Sequence, residues 1–352
     1  MSQTADAQVM ESGVDAHPGK RNADAPLPLS AEPDGARDGA PRVIRIPTAS
    51  EVMCGPRDLL RQYVSAHRER NSPLPLVVAR GFNTPAHLEF LESAECGAKS
   101  RVVDGNLVIT EYPTEGHEAA SIAFLCCVIN GVSAAGLQSF LAKKGSALIR
   151  DRAPNKQSGY QPDQSFAYRL SATKTPSLVL EVGWTETMTS LCDAAKWYIE
   201  ECKEVQAVVL LKFYPRTDDP PCRMLAVVVR RGSGITEAVS FGSQSCTSVA
   251  QHAVGELSCS LTQQAAVVQV NEGKSITLHA ADLFYGAKDN IDELLVTLSV
   301  DVKAPFENAA QKMRKAISDG AVWPMPDIVV DLTEIRDAVL EACTGADEPT
   351  VG

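Results

Sequence analysis

The stretch QPDQSFAYRLSATKTPSLVLEVGW contains two apolar segments and two acidic residues. Asp163 directly precedes the first segment, and Glu181 lies near the end of the second. The segments QSFAY and SLVLEV are rich in aromatic and β-branched residues, which is typical of β-strands, and the polar residues between them are typical of a turn. A turn centred on Ala172 places Asp163 directly opposite Glu181, because side chains alternate along each strand. A slip of one residue would put the two carboxylates on opposite faces. The stretch therefore predicts an antiparallel hairpin with two converging carboxylates.

Converging carboxylates repel each other unless a cation lies between them, and hard oxygen ligands suit Mg²⁺ or Mn²⁺. Glu181 lies in the apolar run LVLEV, where a carboxylate is costly to bury without a cation or a hydrogen-bond donor. The alternative is that both residues are solvated acids at strand ends, since Pro-Asp is also a common turn dipeptide. We expect a divalent metal site formed by Asp163 and Glu181.

The elements PDQSF, PSLVLEVGW and DAAKWY together resemble the PD-(D/E)xK nucleases, and within them the Uma2-like proteins with a restriction-endonuclease fold. The resemblance extends upstream to DGNLVI and His117, and it spans Arg101 to Phe213, about a third of the chain. It implies a metal-dependent phosphodiesterase in which Asp163 and Glu181 hold Mg²⁺ or Mn²⁺. These nucleases carry a lysine two residues after the glutamate, where this chain has Gly183. Uma2-like proteins commonly lack that lysine too, so the departure bears on the activity rather than on the fold.

Three lysines could supply the missing positive charge. Lys174 lies in the turn, at the far end of the hairpin, and Lys196 flanks the apolar stripe of the following helix, where a solvated lysine is expected. Lys212 lies near the end of the next strand, which should run parallel to the Glu181 strand. Lys212 is therefore the predicted catalytic lysine, and the alternative is a lysine whose stem snorkels from a sheet edge.

Three more polar residues lie before the hairpin, Glu111 at a strand end and His117 and Glu118 at the start of an apolar helix. Nucleases of the resembled fold often take a further carboxylate from their first helix, which makes Glu118 a candidate catalytic residue. His117 matches the histidine of the Uma2-like pattern. The alternatives are an acid that stabilises the helix dipole and a structural histidine.

A group of basic residues precedes the hairpin: Lys143, Lys144, Arg150, Arg152 and Lys156. Beside a phosphodiesterase centre they would contact a nucleic-acid backbone without reading its sequence. The alternative is a solvated charged face. We expect nucleic acid as the partner, DNA rather than RNA.

The net charge of −11 does not oppose a nucleic-acid partner, because the acidity lies at the two ends. Residues 1–40 carry seven acidic and three basic residues, and residues 321–352 carry seven acidic residues and one basic residue. The part between them is close to neutral, so local basic clusters matter more than the total charge.

The cysteines indicate the cellular compartment, and the apolar runs indicate whether the chain has a signal segment or a membrane span. The ten cysteines form no CxxC pair, which favours free thiols in a reduced, intracellular protein. The N-terminus has no apolar segment of a secretory signal, and no apolar run approaches the ~18 residues of a membrane span.

The hairpin, a helix over 187–202 and a strand over 205–213 predict an α/β fold with a mixed central sheet flanked by helices, as in restriction endonucleases. We expect a disordered tail over 1–48, this domain over 49–320 with its core at about 101–231, and an acidic tail with a short helix over 321–352. Smaller elements are predicted as a helix over 50–66, a hairpin over 101–109, a helix over 115–130, a strand over 224–230, an irregular segment over 232–263, a strand and short helix over 276–284 and a helix over 307–317.

Three functions are compatible with this pattern. The first is a Mg²⁺-dependent nuclease that uses Asp163, Glu181, Lys212 and Glu118. The second is a degenerate relative that keeps the fold and binds nucleic acid or a protein without cleaving it. The third is an unrelated α/β scaffold in which the motif is a coincidence.

Overall fold

The computed structural model describes residues 45–345, except 56–57, 71–73, 94–96, 151–157, 172, 174, 217–218, 263–268, 287–310, 312–314 and 316–326. The chain divides into two units between Arg45 and Ile46, and only the second is described below. The expected N-terminal tail and the helix over 307–317 lie outside the described residues, apart from single positions. So do Arg152, Lys156 and Lys174.

The described residues form fourteen strands and eight α-helices. The strands are β1 (Leu76–Arg80), β2 (Lys99–Val103), β3 (Asn106–Glu111), β4 (Leu141–Lys143), β5 (Ile149–Arg150), β6 (Gly159–Tyr160), β7 (Gln164–Tyr168), β8 (Leu178–Gly183), β9 (Ala207–Arg216), β10 (Asp219–Arg230), β11 (Gly234–Ser240), β12 (Asn271–Glu272), β13 (Ser275–Leu278) and β14 (Ile328–Asp331). The helices are α1 (Ala49–Cys54), α2 (Leu59–Glu69), α3 (Pro85–Ser93), α4 (Glu115–Ala134), α5 (Met188–Glu201), α6 (Thr247–Thr262), α7 (Ala280–Leu283) and α8 (Leu332–Gly345).

These strands form a large mixed sheet in the order β12-β11-β10-β9-β8-β7-β4, a second sheet in the order β1-β3-β2-β6-β5, and the β13-β14 pair. Helices lie on both faces of the large sheet, since α4 and α5 both contact β8 and bring separate apolar clusters to it. The expected mixed α/β sheet flanked by helices is confirmed.

The hairpin of β7 and β8 has the predicted register. Gln164 pairs with Leu180 and Phe166 with Leu178, so Asp163, directly before β7, comes opposite Glu181. The next connection is also as predicted, because β8, α5 and β9 form a parallel crossover in which Gly183 pairs with Lys212. This arrangement places the end of β8 beside the end of β9.

The hairpin of β2 and β3 belongs to the second sheet. Its turn residues Asp104 and Gly105 both have positive φ, at 48° and 72°, as a two-residue hairpin turn requires. Lys99 at the start of β2 pairs with Glu111 at the end of β3. Both side chains are buried, at the place where the second sheet meets the β7–β8 hairpin.

Helix α4 is buried along much of its length, with Phe124, Val128 and Val132 in the main core. It is also the described helix that is long and apolar enough to cross a membrane, although the sequence analysis expects no span. Helices buried in a protein core can be as long and as apolar as a membrane span. Helix α4 packs against α8 and β14, as a core helix does.

Three expectations differ from the structure. The segment 232–263 is regular, because it forms β11 and α6 rather than an irregular excursion. The helix expected over 50–66 is two helices interrupted at Gly55. Within 321–352, β14 and α8 bury Val330, Leu332 and Ile335 in the core, so this part packs as a folded element and not as an acidic tail.

Candidate functional site

The side chain of Lys99 is the centre of a buried charged cluster between the two sheets. Its Nζ lies 2.8 Å from Asp163 Oδ2, 2.5 Å from Glu181 Oε2 and 3.4 Å from Glu186 Oε2. It also donates a hydrogen bond of 3.0 Å to the main-chain oxygen of Val182. We call the two carboxylates of Asp163 and Glu181, with the Val182 oxygen, the carboxylate cage. One cation is therefore held by three oxygens from the end of β8 and the start of β7.

Asp163 is fixed by the backbone of the neighbouring strand. Its Oδ2 accepts a hydrogen bond of 2.6 Å from the Val182 N–H, and its own N–H donates to the Leu180 oxygen at 3.1 Å. Because Oδ2 and Glu181 Oε2 both contact the Lys99 nitrogen, the two carboxylates lie within reach of one cation, which needs oxygens no more than about 5 Å apart.

Glu181 is buried completely and is oriented by helix α5. The Tyr198 hydroxyl, itself buried, donates a hydrogen bond of 2.8 Å to Glu181 Oε1. The other oxygen, Oε2, faces Lys99 as an ion pair and accepts no hydrogen bond of good geometry from any described residue. One oxygen of this carboxylate is thus held for orientation, and the other is directed into the cage.

Glu186 adds a third carboxylate from the turn between β8 and α5. Its Oε1 pairs with the Arg101 guanidinium and accepts from the Ser190 hydroxyl at 2.6 Å. Arg101 lies two residues after Lys99 on β2, so both side chains point to the same face. Its guanidinium stacks over the Tyr160 ring at 4.9 Å. The strand β2 therefore contributes two cations to the cluster.

Glu111 holds the same turn from the other side. Its Oε1 accepts hydrogen bonds from the N–H groups of Trp184 and Thr185 at 2.6 and 2.5 Å, and from that of Glu186 at 3.4 Å. Its Oε2 has no hydrogen-bond partner among the described residues and lies 3.7 Å from His117 Nε2. Glu111 is therefore a positioning residue for the turn that follows Glu181.

His117 reaches the cage from the first turn of α4. Its Nε2 lies 3.2 Å from Asp163 Oδ1, and its Nδ1 lies 3.6 Å from Glu118 Oε1. Burial alone would lower the pKa of His117, but the contact with Asp163 and the charge of Glu111 raise it above its ordinary value. A protonated His117 therefore supports Asp163 in its charged form.

The carboxylates of the cage have opposite pKa shifts. Burial alone would raise the pKa of Asp163, but the charges of Lys99 and His117 hold it well below its ordinary value. For Glu181, burial raises the pKa, and Asp163 and Glu186 add to that effect against the opposing charges of Lys99 and Arg101. Burial would lower the pKa of Lys99, yet the surrounding carboxylates raise it well above its ordinary range. The ammonium is firmly charged in this environment.

An open pocket of about 610 Å³ leads from the surface to the cage. Asp163, Lys99 and His117 lie on its floor, since their side chains are buried yet line it. Its walls are formed by Arg61, Gly97, Ala98, Pro113, Glu118, Ser121, Gly145, Ser146, Gln161, Pro162 and Gln164. A ligand in this pocket would contact the exposed side of the cage.

Lys212 lies at the predicted place, one strand from Gly183, but does not reach the carboxylates. Its Nζ donates to the Trp184 oxygen at 2.9 Å and lies over the Tyr214 ring at 5.1 Å. Burial lowers its pKa to about 8. A lysine at position 183 would require the buried Leu191 side chain to shift, because a Cβ there would lie 2.6 Å from Leu191 Cδ1. The lysine that contacts both carboxylates is Lys99.

The other predicted residues lie around the pocket or away from it. Glu118 is on the pocket wall with its side chain 59% exposed, and it meets the cluster through His117. Lys196 is 42% exposed and lies 3.9 Å from Glu200, as expected for a solvated lysine. Lys143 is exposed in β4, and Lys144 follows it directly before the pocket residues Gly145 and Ser146. Arg150 lies in β5, 4.0 Å from Glu89.

Sequence reasoning missed Lys99, Arg101, Glu186 and the hydroxyl of Tyr198. One signal was available, because Lys99 and Arg101 alternate in KSRVV, so two cations share one face of an otherwise apolar strand. The ring of Tyr198 lies among the apolar residues of α5, so its residue type and spacing indicate a core position and not a hydrogen-bond donor. Neither the alternation in KSRVV nor the apolar pattern of α5 indicates which acidic residue these side chains contact.

The cage fits a hard divalent cation by its donor chemistry. Two carboxylate oxygens and a main-chain carbonyl already surround one positive charge, and these are the ligands that Mg²⁺ and Mn²⁺ prefer. Within the described residues, no three His, Cys, Asp or Glu side chains are arranged to hold a metal. The third protein ligand would therefore be the Val182 oxygen, and a metal ion would take the place of the Lys99 ammonium.

No protein-family model and no curated protein matches this sequence. Among solved structures, the chain is similar to the crystal structure of a DUF820 protein from Anabaena variabilis that is proposed to be a nuclease. The two share 13% identity with a TM-score of 0.30, over 41% of this chain and 76% of the other. At this level of similarity, the functional argument rests on the geometry of the cage and its pocket.

Proposed function

We propose that this chain is a divalent-metal-dependent nuclease that hydrolyses phosphodiester bonds at the carboxylate cage. The proposal rests on three oxygens, from Asp163, Glu181 and Val182, that surround the Lys99 ammonium on the floor of an open pocket. A buried carboxylate pair is costly unless a cation and further donors accompany it. Such an arrangement at the end of a pocket is typical of a site that binds and acts on a ligand.

Asp163, Glu181 and the Val182 oxygen would hold Mg²⁺ or Mn²⁺. When bound, such a metal coordinates a phosphate oxygen and lowers the pKa of a bound water. The low pKa of Asp163 keeps this carboxylate charged at neutral pH, because Lys99 and His117 oppose the effect of its burial. Tyr198 orients Glu181, and Glu111 holds the turn that follows it.

Lys99 takes the role that the sequence assigned to Lys212. Its ammonium lies beside both carboxylates and 3.4 Å from Glu186, whereas Lys212 is bound to the Trp184 oxygen. When a metal ion occupies the cage, the Lys99 ammonium would move aside and stay next to the bound phosphate, where a positive charge stabilises the negative charge that develops during hydrolysis. Lys99 is therefore the proposed stabilising residue, and it comes from a different strand than the carboxylates.

Nucleic acid is the proposed partner. The exposed Lys143 and its neighbour Lys144 lie next to the pocket wall at Gly145 and Ser146. Basic side chains beside such a pocket attract a phosphate backbone without requiring a particular sequence. The acidic floor then needs a metal ion before a phosphate can approach it.

A second candidate function is a binding module that no longer cleaves. It is favoured by the ammonium of Lys99, which has a 3% exposed side chain and three carboxylates within 3.4 Å. If this ion pair never opens, the cage keeps its lysine in place of a metal. The protein would then present the pocket and the basic residues as a surface for nucleic acid.

A cleavage assay separates these functions. The full chain is incubated with labelled single-stranded DNA, duplex DNA and RNA in Mg²⁺, in Mn²⁺ and in EDTA. We expect cleavage with a metal, none in EDTA, and none in Asp163→Asn or Glu181→Gln, which keep the shape and remove the charge. The control is Asp193→Asn, which changes an exposed acid on α5.

Cleavage in EDTA, or full activity of either cage variant, would contradict the nuclease proposal. Binding of the same nucleic acids without cleavage in either metal would favour the binding module.

A further inference from the structure

The carboxylates at the inner end of the pocket are largely buried. The Asp163 side chain is 9% exposed, and that of Glu181 is not exposed at all. The volume of about 610 Å³ lies within the ~300–1,000 Å³ in which proteins enclose small ligands, a class to which one or two nucleotides belong. A phosphate must therefore enter the pocket to reach the cage.

A paired duplex cannot place a phosphate there without distortion. Phosphates lie on the outside of a duplex, but the duplex is a stiff rod whose major groove alone is about 12 Å wide, so it cannot enter a pocket of about 610 Å³. Unpaired strands can splay their bases and bend between consecutive phosphates. The depth of the cage thus favours a strand that is free to fold into the pocket.

We infer that the pocket selects single-stranded nucleic acid, including unpaired ends and loops, over paired duplex. This inference rests on the proposed nuclease function and adds the class of substrate to it. The selection is made by the volume of the pocket and by the burial of the carboxylates at its floor.

Arg61 is the side chain that would hold the entering strand. It lies on α2, is exposed and lines the pocket, and its guanidinium makes no salt bridge within the described part of the chain. A free guanidinium beside an acidic floor suits a phosphate next to the one at the cage, because it forms charge-assisted hydrogen bonds. Glu118 on the pocket wall would repel a phosphate. The strand is therefore expected to pass on the side of Arg61.

The pocket predicts little preference for base identity. None of the described residues that line it is Phe, Tyr or Trp, and stacking of bases on such rings contributes much of the affinity for unpaired bases. Binding should therefore depend on the backbone and be strongly sensitive to salt.

The test measures binding and cleavage on matched substrates. Fluorescence anisotropy of a labelled DNA strand of about 12 nucleotides, in Ca²⁺, a hard cation that also binds carboxylate and carbonyl oxygens, gives its affinity for the full chain at several salt concentrations. The same strand annealed to its complement gives the duplex affinity. We expect the single strand to bind on the order of tenfold more tightly or better, and to be cleaved where the duplex is not.

Arg61→Ala should weaken binding of the single strand on the order of tenfold, as loss of a charged hydrogen bond does, and should reduce the salt slope by about 0.7. The matched control is Arg80→Ala, which removes an exposed arginine that does not line the pocket. Lack of cleavage with any substrate would remove the nuclease proposal while the strand preference in binding still stands. Equal binding or equal cleavage of strand and duplex, or equal effects of the two arginine variants, would overturn the inference.

Discussion

Two buried charge clusters in this protein are built from similar residues. They differ in their access to a pocket and in how completely their polar atoms are hydrogen-bonded. In the first, Lys99 is held by the carboxylate cage on the floor of the pocket. In the second, Arg230 is held by Asp282 at 2.8 Å, by the Thr277 oxygen at 2.6 Å and by Thr236. The Arg230 cluster, which also includes Glu237, joins β10, β11, β13 and α7.

The two clusters differ in how completely their polar atoms are paired. The oxygens Glu111 Oε2, Glu181 Oε2 and Glu186 Oε2 and both nitrogens of His117 lack good hydrogen bonds among the described residues. In the Arg230 cluster, Glu237 accepts from the Thr277 N–H, and no buried side-chain atom of the cluster is left without a hydrogen bond. A cluster whose polar atoms are all hydrogen-bonded is typical of a structural role, whereas incompletely hydrogen-bonded side chains, of which His117 lines a pocket, are typical of a ligand site.

The largest expected effect comes from removing the central cation of each cluster. Lys99→Met leaves the carboxylates of the cage unpaired and should lower the free energy of unfolding by about 3–5 kcal/mol, and Arg230→Met, whose carboxylate partners are only partly buried, should lower it less. Mg²⁺ should restore stability to Lys99→Met alone, because of the two clusters only the carboxylate cage is proposed to bind a metal. At a concentration of ~100 times its dissociation constant, a metal contributes about 2.7 kcal/mol.

Urea unfolding of both variants, with and without Mg²⁺, makes this measurement. If Mg²⁺ stabilises neither variant, the cage is another structural cluster and the difference between the two regions disappears.

A smaller effect is expected from the hydroxyl that orients Glu181. Tyr198→Phe removes the hydrogen bond to Oε1, so it should cost about 1 kcal/mol of stability and weaken metal affinity about 10–100-fold, as loss of an outer-shell partner does. Titration of the variant with Mn²⁺ checks the affinity. Thr236→Val, in the Arg230 cluster, should cost a similar stability and leave metal affinity unchanged.

Tyr168→Phe is the control for the tyrosine change. The Tyr168 hydroxyl is buried without a hydrogen-bond partner among the described residues, so its removal should be neutral or stabilising. An affinity loss as large in Tyr168→Phe as in Tyr198→Phe would show that the hydroxyl of Tyr198 has no special role.

The smallest expected effect is a pH dependence of the free energy of unfolding that comes from Lys212. Arg230 contributes no such dependence, because an arginine stays charged at any accessible pH. Burial lowers the pKa of Lys212 to about 8 from an ordinary value of 10.5. Between these values the unfolded chain binds more protons than the folded one, so rising pH stabilises the fold. Below pH 8 both forms are charged and the penalty is fully present.

The free energies of unfolding of wild type and Lys212→Met, compared from pH 7 to above pH 10, check this sign. Their difference should move in favour of the wild type as the pH rises through that window. A difference that is constant with pH would mean that Lys212 titrates normally in the fold.

The hairpin at the centre of the site was predictable because its signals are local. The register that brings Asp163 opposite Glu181 follows from alternation and one turn, and the parallel neighbour β9 follows from the crossover through α5. Both depend on contacts between segments that follow each other in sequence.

The origin of the lysine was not predictable in the same way. Lys99 is 64 residues from Asp163 and belongs to another sheet, so its contact depends on how two sheets pack and not on any spacing. Lys212 was favoured because strand order placed it beside Gly183, which is correct. Its ammonium is nevertheless held by the Trp184 oxygen, and main-chain acceptors of this kind leave no trace in a sequence.

The measurement that tests the central claim most directly is binding of Mn²⁺, followed by electron paramagnetic resonance, to wild type, Lys99→Met and Glu181→Gln. The account predicts one bound Mn²⁺ in wild type, binding at least as tight in Lys99→Met, where no ammonium competes for the cage, and none in Glu181→Gln. Binding in Lys99→Met alone would mean that the lysine keeps the natural cage closed to metal. Absence of binding in both wild type and Lys99→Met would contradict the claim that Asp163, Glu181 and the Val182 oxygen form a metal site.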